Sequence, residues 1–428
     1  MDRRKFILAG AALGVAGYLF KPSDKGIPYD NYFDQVNQQL KKSGTYLPSM
    51  LVDLDLVDHN IAELSNIINP NVDLRIVAKS VPSPELLGYL MDKTQTNKLM
   101  VFHQPFLSHI AQAYPKSDVL MGKPLPVKAA KDFYQSLDSQ KTDGKGQFDA
   151  KTQLQWLIDS EERLKQYLLL AQSIDQHFKI NIELDVGLHR GGLQQAEELD
   201  ALISLIESNS QYLSFSGFMG YDPHVVKLPS IVKSAEQAYQ ESQITYQSFI
   251  DRLYSLNSHY KDQQLCLNGA GSPSLVMHKD NTVANELSAG SCFVKPVDFD
   301  LPSLAAFKPA AFIATPVLKK MKGTSIPAIE FAQNIFPLWD PNMQQTYFIY
   351  GGKWLAKYES PQGLQGNGLF GTSTNQEIVN SSSNVNLNVD DHVFLRPTQS
   401  EFVFLQFGSL ITLRNQQVGS HWPILKQG

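Results

Sequence analysis

Lys79 ends the apolar run Leu74-Arg75-Ile76-Val77-Ala78. A lysine that closes a buried strand is desolvated, which lowers its pKa and makes its amine a nucleophile toward an aldehyde. The competing reading is a lysine that lays its stem on the surface and keeps its charge in water. A second cluster, Glu183-Leu184-Asp185-Val186-Gly187-Leu188-His189-Arg190-Gly191-Gly192, gathers two acids, a histidine and an arginine at another strand end. Its arginine can bond an anionic oxygen of a ligand; alternatively the four form an ion-pair network on a rim. Two small-residue segments follow, Gly269-Ala270-Gly271-Ser272 within Leu267–Ser274 and Gly290-Ser291 at the end of Glu286-Leu287-Ser288-Ala289. Small residues let peptide N–H groups approach a phosphate at a helix start, although either segment also reads as a plain turn. The dinucleotide glycine fingerprint and its acidic partner are missing.

Those clusters need strand ends to carry them. Between residues 50 and 300, short apolar runs alternate with helical stripes. Strands are expected at 50–54, 74–78, 98–102, 118–121, 154–158, 180–185, 212–219 and 265–268. Helices are marked by Ile61, Leu64, Ile67 and Ile68, by Pro84 in a first turn, and by Leu164, Tyr167, Leu168, Ala171 and Ile174. Tyr246, Phe249, Ile250, Leu253 and Tyr254 give a further 3.6-residue stripe. Repeated β-α alternation means a parallel sheet, and the strand count favours a closed (β/α)8 barrel. The stretch 139–149, rich in Lys, Asp, Gly and Gln, reads as a solvated insertion. Past residue 300, short strands at 393–396, 402–407 and 410–413 lie among Gly, Asn and Ser turns. The expected class is therefore α/β, a (β/α)8 barrel over 46–300 followed by a C-terminal β-domain over 301–428.

Composition agrees with a large core: 43% of the 428 residues are hydrophobic and 18% charged. A net charge of −5 supplies no basic field for a polyanion, which disfavours nucleic acid as a partner. Cys266 and Cys292 form neither a CxxC nor a Cys/His cluster, and both read as buried thiols rather than a disulfide.

In order and spacing, the four motifs resemble the D-threonine aldolase and D-serine dehydratase family, whose N-terminal domain is related to alanine racemase. Tyr46-Leu47-Pro48-Ser49-Met50-Leu51-Val52-Asp53-Leu54-Asp55 resembles the family's opening, and Trp422-Pro423 its end. The resemblance implies fold-type III pyridoxal 5'-phosphate chemistry. Lys79 would carry the cofactor and move the α-proton, and Arg190 would bond the cofactor's phenolic oxygen. Tyr221, in Gly220-Tyr221-Asp222-Pro223-His224, would line the pocket. Gly269, Ala270, Gly271, Ser272, Gly290 and Ser291 would bind the phosphate. The family carries glycine where Pro223 stands, so no role for His224 is carried over. The activity implied is a lyase on small D-configured β-hydroxy amino acids, a D-serine or D-threonine dehydratase or a D-threonine aldolase. An amino-acid racemase and a non-catalytic pyridoxal-phosphate-binding protein are the rivals. A racemase tyrosine motif is not evident, and single-barrel binding proteins lack the β-domain. The resemblance further implies a homodimer and a divalent metal held by a His-x-Cys or His-x-Asp pair. Here that place reads Pro397-Thr398-Gln399-Ser400-Glu401. Gln399 and Glu401 are oxygen donors, which favours magnesium or manganese over zinc, or no metal.

Residues 1–25 stand apart. Arg3-Arg4-Lys5 precedes an uncharged run over residues 6–20, the pattern of a twin-arginine export signal or an N-terminal anchor. The run is shorter than the ~18 residues of a membrane-spanning helix. The expected location is the periplasm or the outer face of the inner membrane, with the export machinery as a partner; a cytoplasmic chain with an N-terminal helix is the alternative. Replacing Arg3 and Arg4 by lysine is expected to hold the protein in the cytoplasm, as read by cell fractionation; unchanged export would point to another route.

Overall fold

The computed structural model describes residues 21–139, 147–229, 231–325 and 335–427, with 327, 328, 330 and 333. Residues 1–20 of the expected export signal and most of the expected insertion lie outside them. Among the described residues, no helix is long and apolar enough to cross a membrane. The chain divides into two compact units.

The larger unit comprises Leu54–Ala310 with Gln399–Leu410 and residues 421–427. Its eight parallel strands close a barrel in sequence order: β1 (Asp73–Val77), β2 (Lys98–Val101), β3 (Asp118–Met121), β4 (Leu154–Ile158), β5 (Phe178–Glu183), β6 (Leu213–Gly220), β7 (Cys266–Gly269) and β8 (Glu286–Ala289). Closure is the ladder of β1 on β8, which pairs Asp73 with Glu286 and Ile76 with Ala289. Helices lie between the strands and begin where the sequence supplies caps. Ser83 accepts from Leu86 N–H ahead of Pro84, and Ser234 with Gln237 forms a reciprocal capping box. On the outward face, Trp156 of β4 and Phe178 of β5 stack at 5.5 Å, with Tyr134 stacked on Phe178 at 5.2 Å. A register shift in the β5–β6 ladder coincides with Gly217 at φ +147°, where a Cβ would lie 1.9 Å from Cys266 O.

Polar side chains cross the barrel interior and hydrogen-bond in one series. Arg75, fully buried, donates through Nε and Nη2 to Glu286, and through Nη1 to the Leu99 and Asp118 carbonyls. Its Nη2 also reaches Asp118 Oδ1 at 2.7 Å. Gln155 continues from Asp118 to Asn181, while Asn268 joins Glu286 to Ser288. Lys98, Asp118 and Glu286 each open their strand, so the charged part of the series lies at the N-terminal end of the barrel.

Two expectations for the barrel change. The strand over 50–54 exists as Ser49–Asp53, but it pairs antiparallel with Ala311–Lys322 outside the barrel. An apolar run buried on both faces looks the same in either sheet. The eighth barrel strand is instead Glu286–Ala289, read from sequence as a loop because its inward residues are Glu286 and Ser288.

The smaller unit holds residues 21–53, Ala311–Thr398 and Ile411–Ser420. Its nine-stranded sheet is mostly antiparallel, with Ser49–Asp53 between Ala311–Lys322 and Ser409–Arg414. The helix Asn31–Ser43 belongs to this unit, so N-terminal residues help build it. The expected strand over 402–407 is instead the short helix Ser400–Phe404 of the barrel unit, its buried Ser400, Val403 and Phe404 following a helical period.

Burial alone would raise the Glu286 carboxyl, but Arg75 and Lys98 hold it down to about 2. Its contribution to stability is present above the ordinary carboxylate value of 4.5 and is lost as pH falls toward about 2. Glu286→Leu leaves Arg75 without its chief counter-charge and is expected to cost about 3–5 kcal/mol in urea unfolding at neutral pH. A loss well under about 1 kcal/mol would show that the pair does not hold the barrel.

Candidate active site

The C-terminal ends of the barrel strands open onto a cavity of about 310 Å³, within the range of small-ligand pockets. Lys79, Arg190, Tyr221, Ala270, Gly271, Ser272, Gly290, Ser291, Gln399 and Glu401 all line it. Gly269 does not; it ends β7 below the loop.

Lys79 sits in the 3-10 turn Ala78–Ser80 that follows β1. Its Nζ lies 3.1 Å from Glu401 Oε2 and 4.3 Å from the centroid of the Phe102 ring. The side chain is 36% exposed, so the expected dry surroundings are absent. A carboxylate and an aromatic face hold the amine instead, and strand-end sequence alone cannot reveal a partner 322 residues away. Attack on an aldehyde requires the deprotonated amine, and Glu401 is the adjoining proton acceptor.

The acidic cluster divides its labour. Asp185 accepts from Gly187 N–H, His189 N–H and His189 Nδ1 at 2.8–3.1 Å. Burial opposes its charge, but those donors hold its carboxyl below the usual range. The His189 ring is 81% exposed, so this pair shapes the turn after β5. Arg190 is left to face the cavity, its guanidinium carbon 4.7 Å from the Tyr221 ring centroid. Burial pushes the Tyr221 hydroxyl up despite Arg190, so at neutral pH it is a phenol that can donate. Burial likewise raises the Glu183 carboxyl against the pull of Arg190.

The small-residue loops serve close approach as well as ligand access. A Cβ on Gly271 would lie 2.3 Å from Tyr221 Cε2, and one on Gly290 would lie 2.8–2.9 Å from Val77 and Ser80. Ser272 Oγ accepts from Gly290 N–H and Cys292 N–H, each at 3.1 Å, so those two donors are taken up in binding loop to loop. Ser291 Oγ donates to Ser80 Oγ at 3.1 Å, which leaves the Ser80 hydrogen for an acceptor in the cavity. Paired serine hydroxyls and a small-residue loop suit a phosphate, Lys79 suits an aldehyde, and Arg190 with Tyr221 suits a phenolic ring. These residues fit pyridoxal phosphate.

Both residues expected to hold a metal have protein partners. Gln399 Nε2 donates to Asp298 Oδ2 at 3.0 Å, and Glu401 is engaged by Lys79. Among the described residues, no group of three or more His, Cys, Asp or Glu comes together as a metal cluster. Of the two oxygen donors expected for magnesium or manganese, Glu401 is paired with Lys79.

Some neighbours escaped the sequence. Phe102 lies beside Lys79, and Asn268 and Ser288 line the cavity as part of the barrel's polar series. Asp222, Ser274 and His278 form a buried network behind the 270–274 loop. Their spacing carries no repeat or motif; Asp222 beside Tyr221 is the one available signal. His224 belongs to the 3-10 turn Pro223–Val226 and packs against Gly187, its Nδ1 buried without a partner among the described residues. Cys266 and Cys292 are free thiols.

The family model "Alanine racemase, N-terminal domain" matches residues 52–295. A search of curated proteins gives no significant match. Among solved structures, D-threonine aldolase from Filomicrobium marinum superposes with a TM-score of 0.69 at 15% identity, covering 94% of this chain and 97% of that one. D-threo-3-hydroxyaspartate dehydratase from Delftia sp. HT23 gives 0.66 at 13% identity, over 89% and 98%. Alanine racemase from Clostridium difficile 630, in complex with cycloserine, gives 0.65 at 12% identity, over 88% and 98%. At these identities the likeness is one of fold.

Borohydride reduction in the presence of pyridoxal phosphate is expected to fix the cofactor to Lys79, and Lys79→Ala to abolish both the labelled peptide and visible absorbance. A label mapped to another lysine would overturn the assignment.

Proposed function

For a chain that belongs to the alanine racemase N-terminal domain family, of fold-type III pyridoxal phosphate enzymes, we propose a lyase acting on D-configured β-hydroxy amino acids. The observation that carries the reading is the Glu401 carboxylate 3.1 Å from Lys79 Nζ, in one cavity with Arg190, Tyr221 and the serine pair. Two neighbours of the same fold are named for a D-threonine aldolase and a D-threo-3-hydroxyaspartate dehydratase, which supports the substrate class.

When bound, the cofactor supplies an electron sink for the bond broken at Cα. Lys79 Nζ is the group that holds it and that takes the α-proton once freed. Arg190 and the Tyr221 phenol orient its ring oxygen, and Ser80 with Ser291 anchors its phosphate. Glu401, next to Lys79, works on the β-hydroxyl. In dehydration its proton leaves with the hydroxyl as water. In aldol cleavage, which removes no α-proton, its carboxylate takes the hydroxyl proton as Cα–Cβ breaks and an aldehyde departs, and Lys79 Nζ gives Cα the proton that replaces that bond. Either route asks of Glu401 only proton transfer, so no metal is needed to polarise the hydroxyl.

The N-terminal Arg3-Arg4 pattern supports an exported enzyme, in the periplasm or on the outer face of the inner membrane, and the family supports a homodimer. The test is a screen of D-amino acids for a keto acid or an aldehyde, repeated after chelation and with Glu401→Gln. Turnover that resists chelation and falls about a hundredfold or more in Glu401→Gln is expected, the range of a lost general acid or base. Activity lost on chelation and restored by manganese or magnesium would overturn the metal-free reading. An enantiomer as the product would make the enzyme a racemase.

A further inference from the structure

A buried polar network stands behind the 270–274 loop, and the chemistry of Lys79 and Glu401 does not use it. Asp222 follows Tyr221 beyond β6 and is enclosed, as are Ser274 and His278. One Asp222 oxygen accepts from Ser274 Oγ at 2.7 Å and the other from His278 Nε2 at 2.9 Å. A carboxylate only accepts, so His278 Nε2 carries the hydrogen. His278 Nδ1 meets Thr282 Oγ1 at 2.9 Å, and the Tyr239 ring packs edge-on against the imidazole at 4.9 Å.

Ser274 has one hydroxyl hydrogen, and the short contact gives it to Asp222. Its oxygen is then an acceptor for Gly271 N–H at 3.2 Å, while Ser274 N–H bonds Gly271 O at 3.0 Å. The loop is thereby closed into an arch that begins at Ala270, with φ +62°, and directs Ser272 Oγ to Gly290 and Cys292. A buried carboxylate and imidazole are costly unless every bond is made, so the network favours this one arrangement. His278 thus sets the loop from the side away from the cavity: it is not among the lining residues, whereas Ala270, Gly271 and Ser272 are.

We propose that His278 is a positioning residue for the phosphate end of the cavity, holding the 270–274 loop through Asp222 and Ser274 in the arch that receives a phosphate group. The inference rests on the reading that the cavity takes a phosphorylated pyridoxal. The probes are pyridoxal phosphate, unphosphorylated pyridoxal and inorganic phosphate, titrated into protein freed of cofactor. In His278→Leu, affinity for pyridoxal phosphate and for inorganic phosphate is expected to fall about tenfold or more, while pyridoxal binds as to the wild type. His278→Gln keeps an N–H for Asp222 and is expected to recover most of the loss. Unchanged phosphate affinity in His278→Leu, or an equal loss for pyridoxal, overturns the proposal. If His278→Leu does not fold, Ser274→Ala decides: a phosphate-selective loss supports the proposal and none overturns it. A wild type that binds inorganic phosphate but neither form of pyridoxal sinks the cofactor reading alone, and inorganic phosphate then judges His278. A wild type that binds no phosphate overturns both.

Discussion

The ladder that joins β1 to β8, with the Arg75–Glu286 ion pair across the same two strands, is the constraint on which the barrel unit depends. Without it the eight strands form an open sheet with two bare edges, and no ring of strand ends exists to gather side chains. Placing a guanidinium inside a barrel is costly, and here that cost is offset by two carboxylates and two carbonyls around one side chain. Those acceptors come from β2, β3 and β8, so the pair fixes the neighbours of β1 as well as its closure.

From that floor upward the interior stays polar. Glu286 bonds Asn268, Asn268 bonds Ser288, and both of these reach the cavity. Stability therefore concentrates at the N-terminal end of the barrel and chemistry at the C-terminal end, the usual division in this architecture. The loops at the C-terminal end have no ladder to order them, and side chains do it instead. Ser272 ties the β7 loop to the β8 loop, and Ser291 ties the β8 loop to the turn that bears Lys79. Asp222 ties the β6 loop to the β7 loop.

The helix Ser400–Phe404 brings to that rim the carboxylate that meets Lys79. It sets a carboxylate against the Lys79 amine. A carboxylate against an amine makes a proton-transfer pair, whereas imidazole and thiolate in the same place would make a zinc site. Fold and family leave such a choice open, because function lives in the groups grafted onto the scaffold.

Most of the barrel was legible in the sequence because its strands are short apolar runs between longer amphipathic helices, and length together with period distinguishes the two. That Lys79, Arg190, Tyr221 and residues of the two glycine-bearing loops come to one cavity was legible too, since each stands at or just past a strand end in a recognisable motif. Where the pattern was apolar on both faces or polar inside, it misled: Ser49–Asp53 belongs to the antiparallel sheet, and Glu286–Ala289 closes the barrel. The pairings in and behind the site were invisible, because Lys79 with Glu401 and Asp222 with His278 join residues far apart in the chain. Sequence by itself determined which residue types stand at the strand ends, since burial period is a local property. Only the tertiary structure decided which charges and hydrogen-bonding groups meet there, because such partners are chosen by proximity in space, and the closed barrel sets that proximity.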